Sequence, residues 1–197
     1  KYRIPVYVSH GTAQHEGLGK IPSLKVIDSH ESFVVGDLTV TPVVVPHDAR
    51  EPTQFVVSDG KFKFGILTDL GSFTPYIIQQ YQSCHALMLE TNHDVKMLSF
   101  GPYPPKLKVR VAGDFGHLNN VQAGEFLSLV NCESLQHIVA THISGQNNSV
   151  ELALQSINEN VIQRSLYLIQ IIKMLDVVFI VPNNSKNIYQ GLSTKYS

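Results

Sequence analysis

The chain has 197 residues, with 15 Lys and Arg against 16 Asp and Glu, and 43% of it is apolar. That length and apolar content suit one core, so residues 1–197 are expected to form a single domain. A formal net charge of -1 excludes a wholly basic nucleic-acid binder, although not a local basic patch.

Two cysteines, Cys84 and Cys132, lie far apart and form no CxxC pair. They argue against a disulfide framework and for a reduced, cytoplasmic protein. The opening Lys1-Tyr2-Arg3-Ile4-Pro5 has no apolar signal-peptide core. The most apolar stretch, 166–181, is interrupted by Gln170, Lys173 and Asp176 and is short for a membrane span. It reads as a buried helix followed by a buried strand.

In chain order, residues 4–8 are β-rich and bounded by Ser9-His10-Gly11, and 24–27 suit a short strand. Gly36-Asp37 reads as a tight turn between strands at 33–35 and 38–45, with Pro42 placing the second near an edge or bulge. Strands at 53–57 and 62–67 flank an Asp59-Gly60 hairpin turn. Pro75 suits the first turn of a helix over 74–82, and a buried strand follows at 86–89. Asn119 and Asn120 can cap a helix over 121–130. Strands are expected at 135–140 and 177–181, with a long helix starting at Val150 after the cap residue Ser149. Residues 106–111 alternate Lys106, Lys108 and Arg110 with Leu107, Val109 and Val111. The period argues for a strand, while the preceding double proline suits a helix start equally well. Strands followed by alternating strands and helices predict an α/β domain with helices layered on a sheet.

Four polar stretches stand where apolar runs stop: Pro46-His47-Asp48, Thr68-Asp69-Leu70-Gly71, Glu90-Thr91-Asn92-His93-Asp94 and Thr141-His142-Ile143-Ser144. Taken singly, these are ordinary loop and cap residues. Taken together, His47, Asp69 and His142 supply the imidazole and carboxylate donors that suit zinc or manganese. Three ligands with one open position is the pattern of a catalytic ion whose bound water ionises near neutral pH. His117, beside such a site, can act as a general acid, and Glu90 can orient an imidazole. His93 and Asp94 are further candidate ligands or supporting groups. Lys106, Lys108 and Arg110 offer cations for phosphates, and Ser144, Asn147 and Asn148 offer neutral donors.

In this order, the motifs Thr-Pro-x-x-x-Pro-His47-Asp, Thr-Asp69-Leu-Gly, Glu90-Thr-Asn-His-Asp94, Gly-His117-Leu-Asn-Asn and Thr-His142-Ile-Ser resemble those of the metallo-β-lactamase fold hydrolases. They look most like the WalJ/YycJ-type branch of 5′-to-3′ exonucleases, over residues 4 to about 154. The resemblance implies an αββα sandwich with two divalent metals, zinc or manganese. His47 would face the first metal, Asp69 would bridge both, and His142 would face the second. His117 and Glu90 would act around the leaving group, as in tRNase Z-like phosphodiesterases. Residues 106–111 would be helical. The tail from Asn158 departs from the family, and Glu159-Asn160 with 164–173 are expected to be an insertion that lengthens the last helix. The His-x-His-x-Asp-His motif of the family is absent from the 197 residues and is expected upstream of Lys1, so two metals are expected in the parent protein and reduced or absent occupancy in this chain alone. A partial fold with an exposed half sheet then predicts poor solubility or pairing with another chain, including a homo-oligomer.

The functional expectation is a metal-dependent phosphodiesterase or nuclease on DNA or RNA. An inactive fragment kept as a binding module, and a small ester or thioester hydrolase on the same scaffold, are the competing expectations.

Overall fold

The computed structural model describes residues 4–130, 132–161, 168–173 and 176–179. The first elements form a small sheet of two parallel strands, β1 (Val6–Ser9) and β2 (Leu24–Ile27). Between them, Ser9 caps the single turn α1 (His10–Ala13) by accepting from the Thr12 amide.

The main sheet opens with an antiparallel meander: β3 (Phe33–Val35), β4 (Leu38–Val44), β5 (Thr53–Ser58) and β6 (Lys63–Leu67). Pro42 is tolerated because β3 pairs only with Leu38 to Val40. At Pro42 the strand has a partner on the β5 side alone, opposite Phe55, as the edge expectation required.

The second half alternates helices and strands: α2 (Pro75–Gln80), β7 (Ala86–Glu90), α3 (Val95–Phe100), α4 (Pro105–Ala112), α5 (Asn120–Leu129), β8 (His137–Thr141) and α6 (Val150–Val161), then β9 (Leu168–Lys173) and β10 (Asp176–Phe179). The eight strands lie in the order β10-β9-β8-β7-β6-β5-β4-β3. Strands β6 to β9 are parallel, and β10 returns antiparallel.

Capping side chains set the helix starts. Thr74 accepts from the Ile77 amide, with Pro75 in the first turn of α2. Asp94 accepts from Met97 at the head of α3. Asn119 and Gln122 form a reciprocal capping box on α5. Leu67, Leu87, Leu89, Ile138 and Ala140 from the parallel strands share one core with Ala123, Phe126 and Leu127 of α5 and Ile157 of α6. Full burial of each large side chain contributes about 1.5–3 kcal/mol.

The 106–111 segment, which its residues left open between strand and helix and the resemblance implied to be helical, is helical, within α4. Its half-buried residues are Leu107, Lys108 and Val111, whereas Lys106, Val109 and Arg110 are exposed, so a helical period decided the outcome. The apolar stretch near the end does not extend the last helix, because Leu168–Lys173 is a strand beside β8. The expected terminal strand at 177–181 begins one residue earlier and is described only to Phe179. No helix among the described residues is long and apolar enough to cross a membrane.

Candidate metal and active site

Parallel strands in register deliver their carboxyl ends to one edge of a sheet. Leu67 of β6 lies opposite Leu89 of β7, and Glu90 of β7 lies opposite Thr141 of β8. Asp69 therefore follows β6, Glu90 ends β7 and His142 follows β8 along one rim. β4 runs in the same direction as β6, since each is antiparallel to β5, and it brings His47 to the same rim. Asp69 and His142 both have positive φ, 53° and 55°. Neither is glycine, and Asp and His are among the residue types that adopt this left-handed conformation most readily.

Asp69 is the centre of the constellation. Its Oδ1 lies 3.5 Å from Nδ1 of His142, 3.7 Å from Nδ1 of His117 and 4.0 Å from Nε2 of His47. Asp69, Glu90, His117 and His142 offer ligand atoms that all lie within 4.8 Å of one another. The His117 ring is 5.1 Å from that of His47 and 4.9 Å from that of His142, centroid to centroid.

Glu90 is fully buried, and it gathers the site from behind. Oε1 accepts from Nδ1 of His117 at 2.9 Å and from Nδ1 of His142 at 2.5 Å. Oε2 accepts from the amides of Leu70 at 3.1 Å and Leu118 at 3.4 Å. Burial pushes this carboxyl up, but the bonds from His117 and His142 outweigh it and hold Glu90 below its ordinary value. The same bond, against the opposing effect of burial, raises His142. An ionised carboxylate only accepts, so the nitrogens facing it carry the protons. The Nε2 of His117 and of His142 is the ring nitrogen not bonded to Glu90. His47 repeats the pattern, because its Nδ1 lies 2.9 Å from the carbonyl of Gly116. Imidazoles tied at one nitrogen and bare at the other are the donor form that a divalent metal takes. The donor set therefore fits a divalent cation.

Other expected residues are placed differently. His93 is 1% exposed, its Nδ1 has no partner, and burial pushes it down to about 4. It packs behind the rim, where its carbonyl accepts from Asn120. Asp94 spends its carboxylate on capping α3. Asn147 is fully buried beneath Gly101, and Ser144 Oγ accepts from the Asn147 amide at 3.1 Å. Lys108 reaches the Ser99 carbonyl at 2.6 Å. Arg110 makes a two-pronged pair with Asp48, whose carboxyl is lowered chiefly by that bond. Lys106 is exposed on the same helix.

Two roles escaped the sequence reading. One is the second imidazole on Glu90, which no local pattern signals. The other is Asp48, 3.6 Å from Nε2 of His47 and clamped by Arg110. The Pro46-His47-Asp48 run was its only signal.

The architecture is the metallo-β-lactamase fold. The solved metallo-β-lactamase fold protein YhfI from Bacillus subtilis superposes with a TM-score of 0.58 at 18% identity, covering 89% of this chain and 64% of that one. A diphosphatase of the PhnP family superposes with a TM-score of 0.53 at 19% identity, over 78% and 52% of the two chains. The sequence carries the relation further. Residues 1–143 match the family model described as the beta-lactamase superfamily domain, and the chain belongs to that family. The exodeoxyribonuclease YycJ of Bacillus anthracis is 32% identical over 163 residues, 81% of this chain and 62% of that protein. The exodeoxyribonuclease WalJ of Streptococcus pneumoniae is 28% identical over 172 residues, 84% of this chain and 64% of that protein. The chain thus spans less than two thirds of the length of these relatives.

Proposed function

We propose that the protein carrying this chain is a metal-dependent phosphodiesterase of the nuclease class, with DNA as its substrate. The observation that carries this reading is Asp69 set among three imidazoles whose Nδ1 sides are all engaged by protein acceptors. The names of the YycJ and WalJ relatives support DNA over RNA.

A bound divalent cation, zinc or manganese, would supply Lewis acidity and a water nucleophile at neutral pH. The resemblance implies two such ions, and Asp69, His47 and His142 are the residues of this chain that would hold them. The residues of this chain do the rest. Glu90 fixes the rings of His117 and His142 from a buried position, so their orientation is set before substrate arrives. His117, 20% exposed in its side chain, has its second ring nitrogen free of Glu90, and the ring can take up a proton there and pass it to the departing oxygen.

The test is His117→Ala in the protein that contains this chain. General acid–base catalysis contributes about 10²–10⁴-fold, so cleavage of end-labelled DNA should fall by that order while bound metal, measured by atomic emission, stays at the parent level. Cleavage at the parent rate removes His117 from the reaction. Loss of metal together with activity makes it a ligand instead.

A further inference from the structure

Phe115 has no structural reason to stand in water, yet the loop that carries it is fixed. Its side chain is 62% exposed. The loop is held by backbone bonds from Gly116 to Gly113 at 2.8 Å, from His117 to Val111 at 2.9 Å and from Asp48 to the Phe115 carbonyl at 2.9 Å. On one side of Phe115 the Asp114 carbonyl accepts from Ser72 Oγ, and the residues on the other lead directly to the site, with Gly116 bonded to His47 and His117 beside Asp69. An aromatic ring thus stands two residues from His117 on a rigid support. The exposed face of α4 next to it carries Lys106, Val109 and Arg110, with Val109 75% exposed. Arg110 is committed to Asp48, so Lys106 is the cation this face offers a phosphate. An exposed π-face and a cation on one support can bind an unpaired nucleic-acid strand, with stacking for the base and charge for the backbone.

We propose that Phe115 is a stacking platform for an unpaired base next to the phosphodiester at the candidate site, with α4 guiding the strand's phosphates through Lys106. The preferred substrate is then a single-stranded end. This inference rests on the nuclease reading above.

The 197 residues contain no tryptophan, so Phe115→Trp adds an indole fluorophore at the platform. Binding is measured in EDTA, without turnover, by anisotropy of labelled oligonucleotides. Phe115→Ala should weaken single-strand binding about tenfold, the order expected for one lost stacking contact, with the salt slope unchanged. Phe115→Trp should retain affinity, and its emission should be quenched by single strand. Lys106→Ala should lower the salt slope by about one, as loss of one phosphate contact does. Single-strand affinity of Phe115→Ala equal to the parent, unquenched Trp emission, or an equal loss for blunt duplex overturns the platform while leaving the nuclease reading intact. Failure of the parent protein to bind any nucleic acid overturns both.

Discussion

Gly71 tests how the site is assembled. A Cβ placed there would lie 2.3 Å from the Gly113 carbonyl oxygen, 2.4 Å from the Gly116 amide nitrogen and 2.5 Å from the Asp114 carbonyl carbon. All three are backbone atoms, so no side chain can swing away. The loop they belong to is tied on several sides: Ser72 donates to the Asp114 carbonyl at 3.0 Å, and the carbonyls of Phe115 and Gly116 hold Asp48 and His47. Ordinary contact needs a separation greater by about an ångström, so Gly71→Ala must push the 113–116 loop away from the Asp69 turn. Overpacking of this kind costs about 1–3 kcal/mol, which for a domain of this size lowers Tm by roughly 2–4 °C per kcal/mol. The movement also drags His117 from its 3.7 Å position beside Asp69, so zinc affinity measured by calorimetry should fall with stability. Gly145 is the control. It lies near His142 in sequence, but a Cβ there meets nothing within 4 Å, so Gly145→Ala should melt with the parent. If Gly71→Ala also melts with the parent, the close approach of the two loops is not what holds the site together.

Glu90→Gln keeps the shape of the side chain but sets a buried amide against four donors. It should destabilise the fold by about 1–3 kcal/mol in urea titrations and weaken metal binding tenfold or more; parent-like values for both would mean Glu90 does not organise the histidines. His93 gives a pH signature. Its folded value of about 4 lies below the ordinary 6.5, so between those values the unfolded chain takes up a proton that the folded chain refuses. Stability from His93 is present above pH 6.5 and is lost as pH falls toward 4, by about 3 kcal/mol in all. The stability of His93→Leu should therefore fall less steeply than the parent's over that window, and parallel curves would refute the assignment.

The sequence by itself determined the local features of this protein. Strand ends, turns and caps depend on neighbours a few residues away. Pro75 and Thr74 therefore announced α2, and the ends of apolar runs placed His47, Asp69, Glu90 and His142 at strand termini. Resemblance of the five motifs pointed to the family before any geometry was known. Tertiary structure alone decided which of these residues meet and what each has left to offer. Sheet register across separations of 20 to 69 residues brings the Leu70 amide and both imidazoles to Glu90, and Gly116 to His47. It also commits Asp94 to a helix cap, buries Asn147, and pairs Arg110 with Asp48. The residues at 106–111 left strand and helix open for the same reason. Both periods were present in the sequence, and packing against the rest of the molecule selected the helical one.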